Sequence, residues 1–229
     1  MKPFQICQIA VFASGILYWA GVITQSVRLR RKLGTWPNVR PRGLKERLLW
    51  TGWLTVIAVW IGQPLIMNHL AHLRLFQIIG PFGNGWFQVI GLILIVAGQL
   101  GTYWAYEAMG NSWRMGVQEG DKTDLVTGGP YALMRHPIYS FQILMLLGAA
   151  FLLPTALSFI TLGLHLVCCS IKMNDEENYL SRTHQDYGAY RKKTGQFFPR
   201  IHKSLATPDQ PIRPAPAPSG GSLFDEISY

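Results

Sequence analysis

The hydrophobic positions of this chain fall into long unbroken runs, not into the one-sided stripes of a water-soluble helix. Ile6 to Val27 contains no charged residue. Leu48 to Leu70 is a second run, carrying Trp50, Trp53 and Trp60, with Pro64 placed to kink it. Trp86 to Tyr106 is a third, and it ends in Tyr103, Trp104 and Tyr106. Ile138 to Ile171 is free of charge across 34 residues. A membrane helix needs about 20 apolar residues, so each of the first three runs predicts one crossing. As one helix the fourth would extend roughly 50 Å at about 1.5 Å per residue, more than a hydrocarbon core of about 30 Å accommodates. Pro154 near its middle predicts two short crossings with a tight turn between them. The pattern predicts an all-α polytopic membrane protein of about five transmembrane helices, the last two forming a helical hairpin. Only Lys2 precedes the first run and no A-x-A pattern follows it, so that run reads as a retained helix.

Charge placement adds an orientation. Of the 21 basic residues, eight lie from Arg28 to Arg47, three between the third and fourth runs, and eight from Lys172 onward. Only Arg74 lies between the second and third runs. Five crossings put those three groups on one side, which the positive-inside rule makes cytoplasmic. The N-terminus is then outside and the C-terminus cytoplasmic, with a bacterial plasma (inner) membrane expected. The same placement accounts for the formal net charge of +9 without nucleic acid. Charged residues make up 14% of the chain, against roughly 25% in a soluble domain, which again favours the bilayer as partner. Cys7, Cys168 and Cys169 lie in apolar stretches with no disulfide framework or metal spacing. His69, His72 and His184 form no helical pair with carboxylates, so no metal is expected. From about Leu205 the chain is rich in proline and serine, which predicts a disordered tail.

Two polar segments on the cytoplasmic side are patterned beyond the needs of a loop. The first, Asn111 to Tyr139, holds Leu125-Val126-Thr127, then Gly128-Gly129-Pro130, which forces an irregular backbone. Tyr131 and Tyr139 flank Arg135-His136-Pro137, and Pro137 suits the first turn of a helix. The second, Lys172 to Pro199, opens with Asp175, Glu176 and Glu177 crowded in a basic tail. Lys172 and Glu176 are four apart and share a helix face. A helix turns about 100° per residue, so Glu176 and Glu177 are not expected to point inward together. Read blandly, these are a membrane-entry turn and a solvated helix with a weak surface ion pair.

Taken together, the two segments resemble the conserved half of the isoprenylcysteine carboxyl methyltransferase family and its phospholipid-methyltransferase-like relatives. The residues that carry the resemblance are Leu125-Val126-Thr127, Gly129-Pro130-Tyr131, Arg135-His136-Pro137 with Tyr139, Glu176-Glu177 with Leu180, Tyr187 with Tyr190, and Pro199. The likeness covers roughly residues 85–202 and leaves out the first two helices. It implies an S-adenosyl-L-methionine-dependent methyltransferase whose cofactor pocket closes at the cytosolic end of helices three to five. Carried over residue by residue, the cofactor contacts are Thr123, Asp124, Leu125, Val126, Tyr131, His136, Pro137, Ile138, Tyr139 and Glu176, with Glu177 as the neighbouring acid and Gln118 as a further ligand. Arg135 and Lys172 are the candidate catalytic cations.

The residue types suit that chemistry. A carboxylate binds an ammonium or ribose hydroxyls through charge-assisted bonds, and tyrosines cover adenine or a sulfonium. The expected acceptor is lipophilic or small, resembling an isoprenoid or prenylcysteine carboxylate. Lys172 lacks the bidentate fork of the arginine that meets substrate carboxylate in prenylcysteine enzymes. A phospholipid amine or a thiol therefore stays open. His165 is either a helix-contact residue or pocket-facing, and Trp113 is placed to line the cofactor mouth. A transporter or non-catalytic relative on the same fold is the rival class. It would be expected to carry an ionisable residue inside a crossing, and none of the runs holds an acid, lysine or arginine. The expected division is residues 1–84 for the first two helices and basic loop, 85–203 for the methyltransferase core, and 204–229 for the tail.

Overall fold

A computed structural model describes residues 3–34, 43–113 and 125–200. Among these the elements are all helical: α1 (Pro3–Leu33), α2 (Gly43–Ile66), α3 (Gly85–Met109), α4 (Pro137–Leu152), α5 (Ala156–Thr183) and α6 (Tyr187–Lys193), with short 3-10 turns between them. Four helices, α1, α2, α3 and α5, are long and apolar enough to cross a membrane. The expected fifth crossing, α4, is also apolar but shorter. At about 1.5 Å per residue its 16 residues reach roughly 24 Å. The protein is thus an all-α integral membrane protein. The expected disordered tail lies outside the described residues.

The expected hairpin forms at Leu153-Pro154-Thr155. Thr155 caps α5 by accepting a bond from Ser158 N (3.1 Å). The turn is held from two sides. Ile79 N donates to Pro154 O (2.7 Å), and Gln63 Nε2 of α2 donates to Thr155 Oγ1 (2.7 Å). Pro64 sits in the last turn of α2 and marks its end, where a mid-helix kink was expected.

Small residues decide how the bundle closes. On α3 the buried positions include Gly91, Gly98, Gly101 and Ala105, while Ile93, Val96 and Leu100 are exposed toward lipid. This small-residue face lets the α4 backbone approach closely. A side chain carbon added at Gly98 would lie 2.6 Å from Phe141 O, and one at Gly91 would lie 2.7 Å from Gly148 O.

The start of α4 is fixed by backbone. Gly129 has φ +59°, a left-handed conformation that favours glycine, and it begins a 3-10 turn through Ala132. His136 precedes α4, and Pro137 occupies its first turn, as expected from its missing N–H. The segment after α6 folds back on this corner. Arg135 N donates to Gly195 O (2.8 Å), Gly195 N to Leu133 O (3.3 Å), and Ser140 Oγ to Phe197 O (2.7 Å).

Candidate functional site

At this corner α5 runs past the start of α4, and the two polar segments meet. Arg135 Nε donates to Glu177 Oε1 (2.9 Å), with side chains only 9% and 7% exposed. Its Nη1 donates to Thr194 O (2.6 Å) and Arg191 O (3.3 Å). His136 stands between the two acids: Nε2 is 3.2 Å from Glu177 Oε1, and Nδ1 is 3.6 Å from Glu176 Oε2. Tyr139 donates its hydroxyl to Glu176 Oε1 (2.9 Å).

Of the two adjacent acids only Glu176 lines the cavity, as the helix turn leads one to expect, but Glu177 is buried as well. Roughly 100° apart on α5, each meets a different wall. Glu176 turns toward the cavity described below, and Glu177 turns toward Arg135 and His136 under the refolded segment 194–200. The end of α5 is solvated on one side only: Asn178, Ser181, Arg182 and Thr183 are exposed, while Glu177 is buried. The Lys172–Glu176 pair allowed by spacing does not form among the described residues, and Lys45 instead pairs with Asp175 (2.6 Å) at the surface.

Beside the corner lies a cavity of about 420 Å³. Its polar end is formed by Leu125, Val126, Tyr131, Arg135, His136, Ile138, Tyr139 and Glu176, eight of the residues expected from sequence. Pro137, Lys172 and Glu177 are not in the wall. Pro137 is buried behind it as the start of α4, and Lys172 is half-buried on α5. Gln118, Thr123 and Asp124 lie outside the described residues. Trp113, expected near the mouth, is buried in the wall, with its ring 5.9 Å from that of Tyr106. His165 also lies in the wall, so it faces the pocket and serves helix contact as well.

The other wall was missed. Tyr18, Trp19 and Val22 of α1 line the cavity, and so do Trp50, Trp53, Leu54 and Ile57 of α2. The signal was available: positions 50, 53, 54 and 57 repeat at helical spacing, so one α2 stripe faces inward. Sequence likeness to the family stops before these helices, and interfacial tryptophans are common enough to hide a binding wall among them. Tyr187 and Tyr190 complete the polar end of the wall. Tyr190 donates to Tyr131 O (2.7 Å), which ties α6 to the 3-10 turn.

The ionisable groups of the wall are few and mostly paired. Burial first, and the Glu176 carboxylate second, push the Tyr131 phenol well above its ordinary range. Burial pushes Tyr190 up to about 12. Both stay protonated donors at neutral pH. Arg135 is matched by Glu177, which leaves Glu176 as the carboxylate of the wall among aromatic faces. A carboxylate with aromatic rings favours an ammonium or sulfonium over an anion.

Comparison with known proteins bears on the same region. The chain is 33% identical over 115 residues to the nickel-cobalt-cadmium resistance protein NccN of Alcaligenes xylosoxydans xylosoxydans, covering 49% of this chain and 53% of that protein. It is 30% identical over 112 residues to the cobalt-zinc-cadmium resistance protein CzcN of Cupriavidus metallidurans, covering 48% and 50%. The chain therefore spans about half the length of the curated relatives it matches. Residues 86–187 match the phospholipid methyltransferase family model. That stretch runs from the start of α3 to the start of α6 and contains the first motif segment and the second as far as Tyr187. Over this stretch the chain is similar to the phospholipid methyltransferase family, a family of membrane methyltransferases.

Proposed function

We propose that this protein is an S-adenosylmethionine-dependent methyltransferase acting on a lipophilic acceptor at the cytoplasmic face of the membrane. One observation carries the reading: Glu176, Tyr131 and Tyr139 share the wall of one cavity with the aromatic stripe of α2. The polar end suits a water-soluble cation and the stripe suits an apolar molecule.

The donor set fits the cofactor. Glu176 would hold its ammonium or ribose hydroxyls by charge-assisted bonds. Tyr131, Tyr139 and Trp113 would cover its rings or sulfonium. Leu125 and Val126 supply apolar wall, and Gln118, Thr123 and Asp124 are proposed as further contacts. Bound S-adenosylmethionine supplies an electrophilic methyl group. What the chain adds is alignment and exclusion of water, the two factors that speed a one-step displacement most. Arg135 and Glu177 act by holding His136 and α5 in register; with its charge matched by Glu177 and its Nε and Nη1 bonded, Arg135 serves better as a positioning residue than as a catalytic cation.

Glu176→Gln removes one charge-assisted bond of about 1.5–3 kcal/mol. The affinity for S-adenosylhomocysteine should fall about 10- to 100-fold with the helical content unchanged. Calorimetric titration of both proteins in nanodiscs measures this. Equal affinities would detach the acidic motif from the cofactor, and absence of any binding to the wild type would sink the methyltransferase reading.

The same reading keeps the N-terminus outside and the basic segments cytoplasmic, in a bacterial inner membrane. A reporter fused at Phe82 should therefore score as extracytoplasmic in whole cells. A cytoplasmic score there would reverse the orientation and put the cavity's polar end on the wrong side for a cytosolic cofactor.

A further inference from the structure

The membrane-side part of the cavity wall holds polar atoms that the methyltransferase reading does not use. His165 is 1% exposed, lies on α5 and is in the wall. Its Nε2 is 3.2 Å from Cys169 Sγ, one turn along the helix. Its Nδ1 has no hydrogen-bond partner among the described residues. The indole N–H groups of Trp19 and Trp53, also in the wall, lack acceptors in the same way. A buried polar atom left unpaired is costly, and with the hydroxyls of Tyr106 and Tyr187 five such atoms belong to residues of this one wall, three of them on His165, Trp19 and Trp53. Such a set is what a ligand with a small polar head would satisfy.

Position and charge narrow the ligand. His165 precedes Glu176 by eleven residues, or roughly 16 Å along α5 at about 1.5 Å per residue. It is therefore separated from the cation-binding end by several helical turns, among the tryptophans of α1 and α2. Among the described residues Arg135 is the one arginine or lysine of the wall; Glu177 matches its charge, and its Nε and Nη1 are bonded to Glu177 Oε1 and to two carbonyls. A carboxylate acceptor would be buried there without a counter-charge, which is costly. A neutral acceptor bearing a proton to lose needs a base in place of a cation.

We propose that His165 is the acceptor-binding base of this site and that the acceptor is a neutral, protic, lipophilic molecule of the thiol or phenol class. The proposal rests on the methyltransferase reading above. With the ring hydrogen on Nε2 directed at Cys169 Sγ, Nδ1 presents a lone pair to the acceptor's S–H or O–H. The acceptor's heteroatom forms its bond to the methyl carbon. The carbon–sulfur bond of the donor breaks with its electron pair going to sulfur. The acceptor's proton passes to Nδ1 and leaves to water with product release. Thiols and phenols fit because they are the most acidic of the neutral protic acceptors, so a base that takes their proton as the methyl bond forms helps them most.

The test has a binding arm that needs no turnover. 4-Nonylphenol and 4-nonylanisole, which differ in the one proton, are titrated into the full chain in nanodiscs without cofactor, and tryptophan fluorescence is read. The wild type should bind the phenol about 5- to 10-fold more tightly than the anisole, and His165→Gln should abolish the preference. In the second arm, labelled methyl transfer from S-adenosylmethionine to 4-nonylphenol, 1-decanethiol and decanoate is compared. The phenol or thiol should be methylated at least about 100-fold faster than decanoate. His165→Gln should slow that transfer about 100-fold or more, with S-adenosylhomocysteine affinity unchanged. No phenol preference in the wild type, decanoate as the preferred acceptor, or transfer to neither neutral probe by a protein that binds S-adenosylhomocysteine would each overturn the assignment. Should His165→Gln lose the fold, the wild-type preferences decide alone. Failure of the wild type to bind S-adenosylhomocysteine is a different result, and it removes the cofactor reading beneath.

Discussion

Glu177→Ala is expected to lower stability by about 3–5 kcal/mol, the usual cost of leaving one partner of a buried ion pair uncompensated. The carboxylate meets Arg135 Nε and His136 Nε2 in a place where all three side chains are less than a tenth exposed. Arg191 lies 3.7 Å from its second oxygen but is 61% exposed and cannot substitute. Loss of the acid strands the Arg135 guanidinium, loosens segment 194–200 and frees His136. Cofactor affinity should fall with stability, although Glu177 is not in the cavity wall. Lys45→Ala is the control. Its pair with Asp175 is shorter at 2.6 Å, yet 62% and 41% exposed, so its loss should cost about 1 kcal/mol or less. Thermal unfolding of the variants in one detergent compares them. Equal shifts for Glu177→Ala and Lys45→Ala would show that burial does not set the strength of this network.

Gly98→Ala is expected to be nearly as damaging for a steric reason. The added carbon would sit 2.6 Å from Phe141 O and 2.5 Å from Met145 Cγ. Met145 can shift its side chain, but a backbone carbonyl in α4 cannot move without the helix. Overpacking of this kind costs about 1–3 kcal/mol. Because α4 begins at Pro137, its displacement also moves His136 and Tyr139 relative to Glu176. The variant should therefore lose S-adenosylhomocysteine affinity together with stability, whereas Gly62→Ala, where nothing lies within 4 Å, should lose neither. A Gly98→Ala protein with wild-type unfolding temperature and affinity would mean that α3 and α4 are not held at this spacing.

The architecture was legible in the chain itself because the bilayer imposes a simple rule. Unpaired backbone cannot sit in hydrocarbon, so runs free of charge and of sufficient length declare helices. Pro154 within a run too long for one crossing declares the hairpin. The polar end of the cavity was legible for a second reason. Gly129, Pro130 and Pro137 dictate local backbone in any context, and Tyr131, His136, Tyr139 and Glu176 keep the spacing of a known family.

What lay beyond the sequence was everything that depends on which helix covers which. Glu177 reads as a solvated acid until α6 and residues 194–200 fold over it. Arg135 reads as a free cation until Glu177 matches its charge and two backbone carbonyls accept from its Nη1. Trp50 and Trp53 read as interfacial anchors until α2 lies against α5 and turns that stripe toward the cavity. His165 reads as one more polar residue in an apolar run until the packing leaves its Nδ1 without a partner. In each case the composition and spacing specify only the helix, while burial and pairing arise from neighbours far along the chain, which only the packing of the helices brings together.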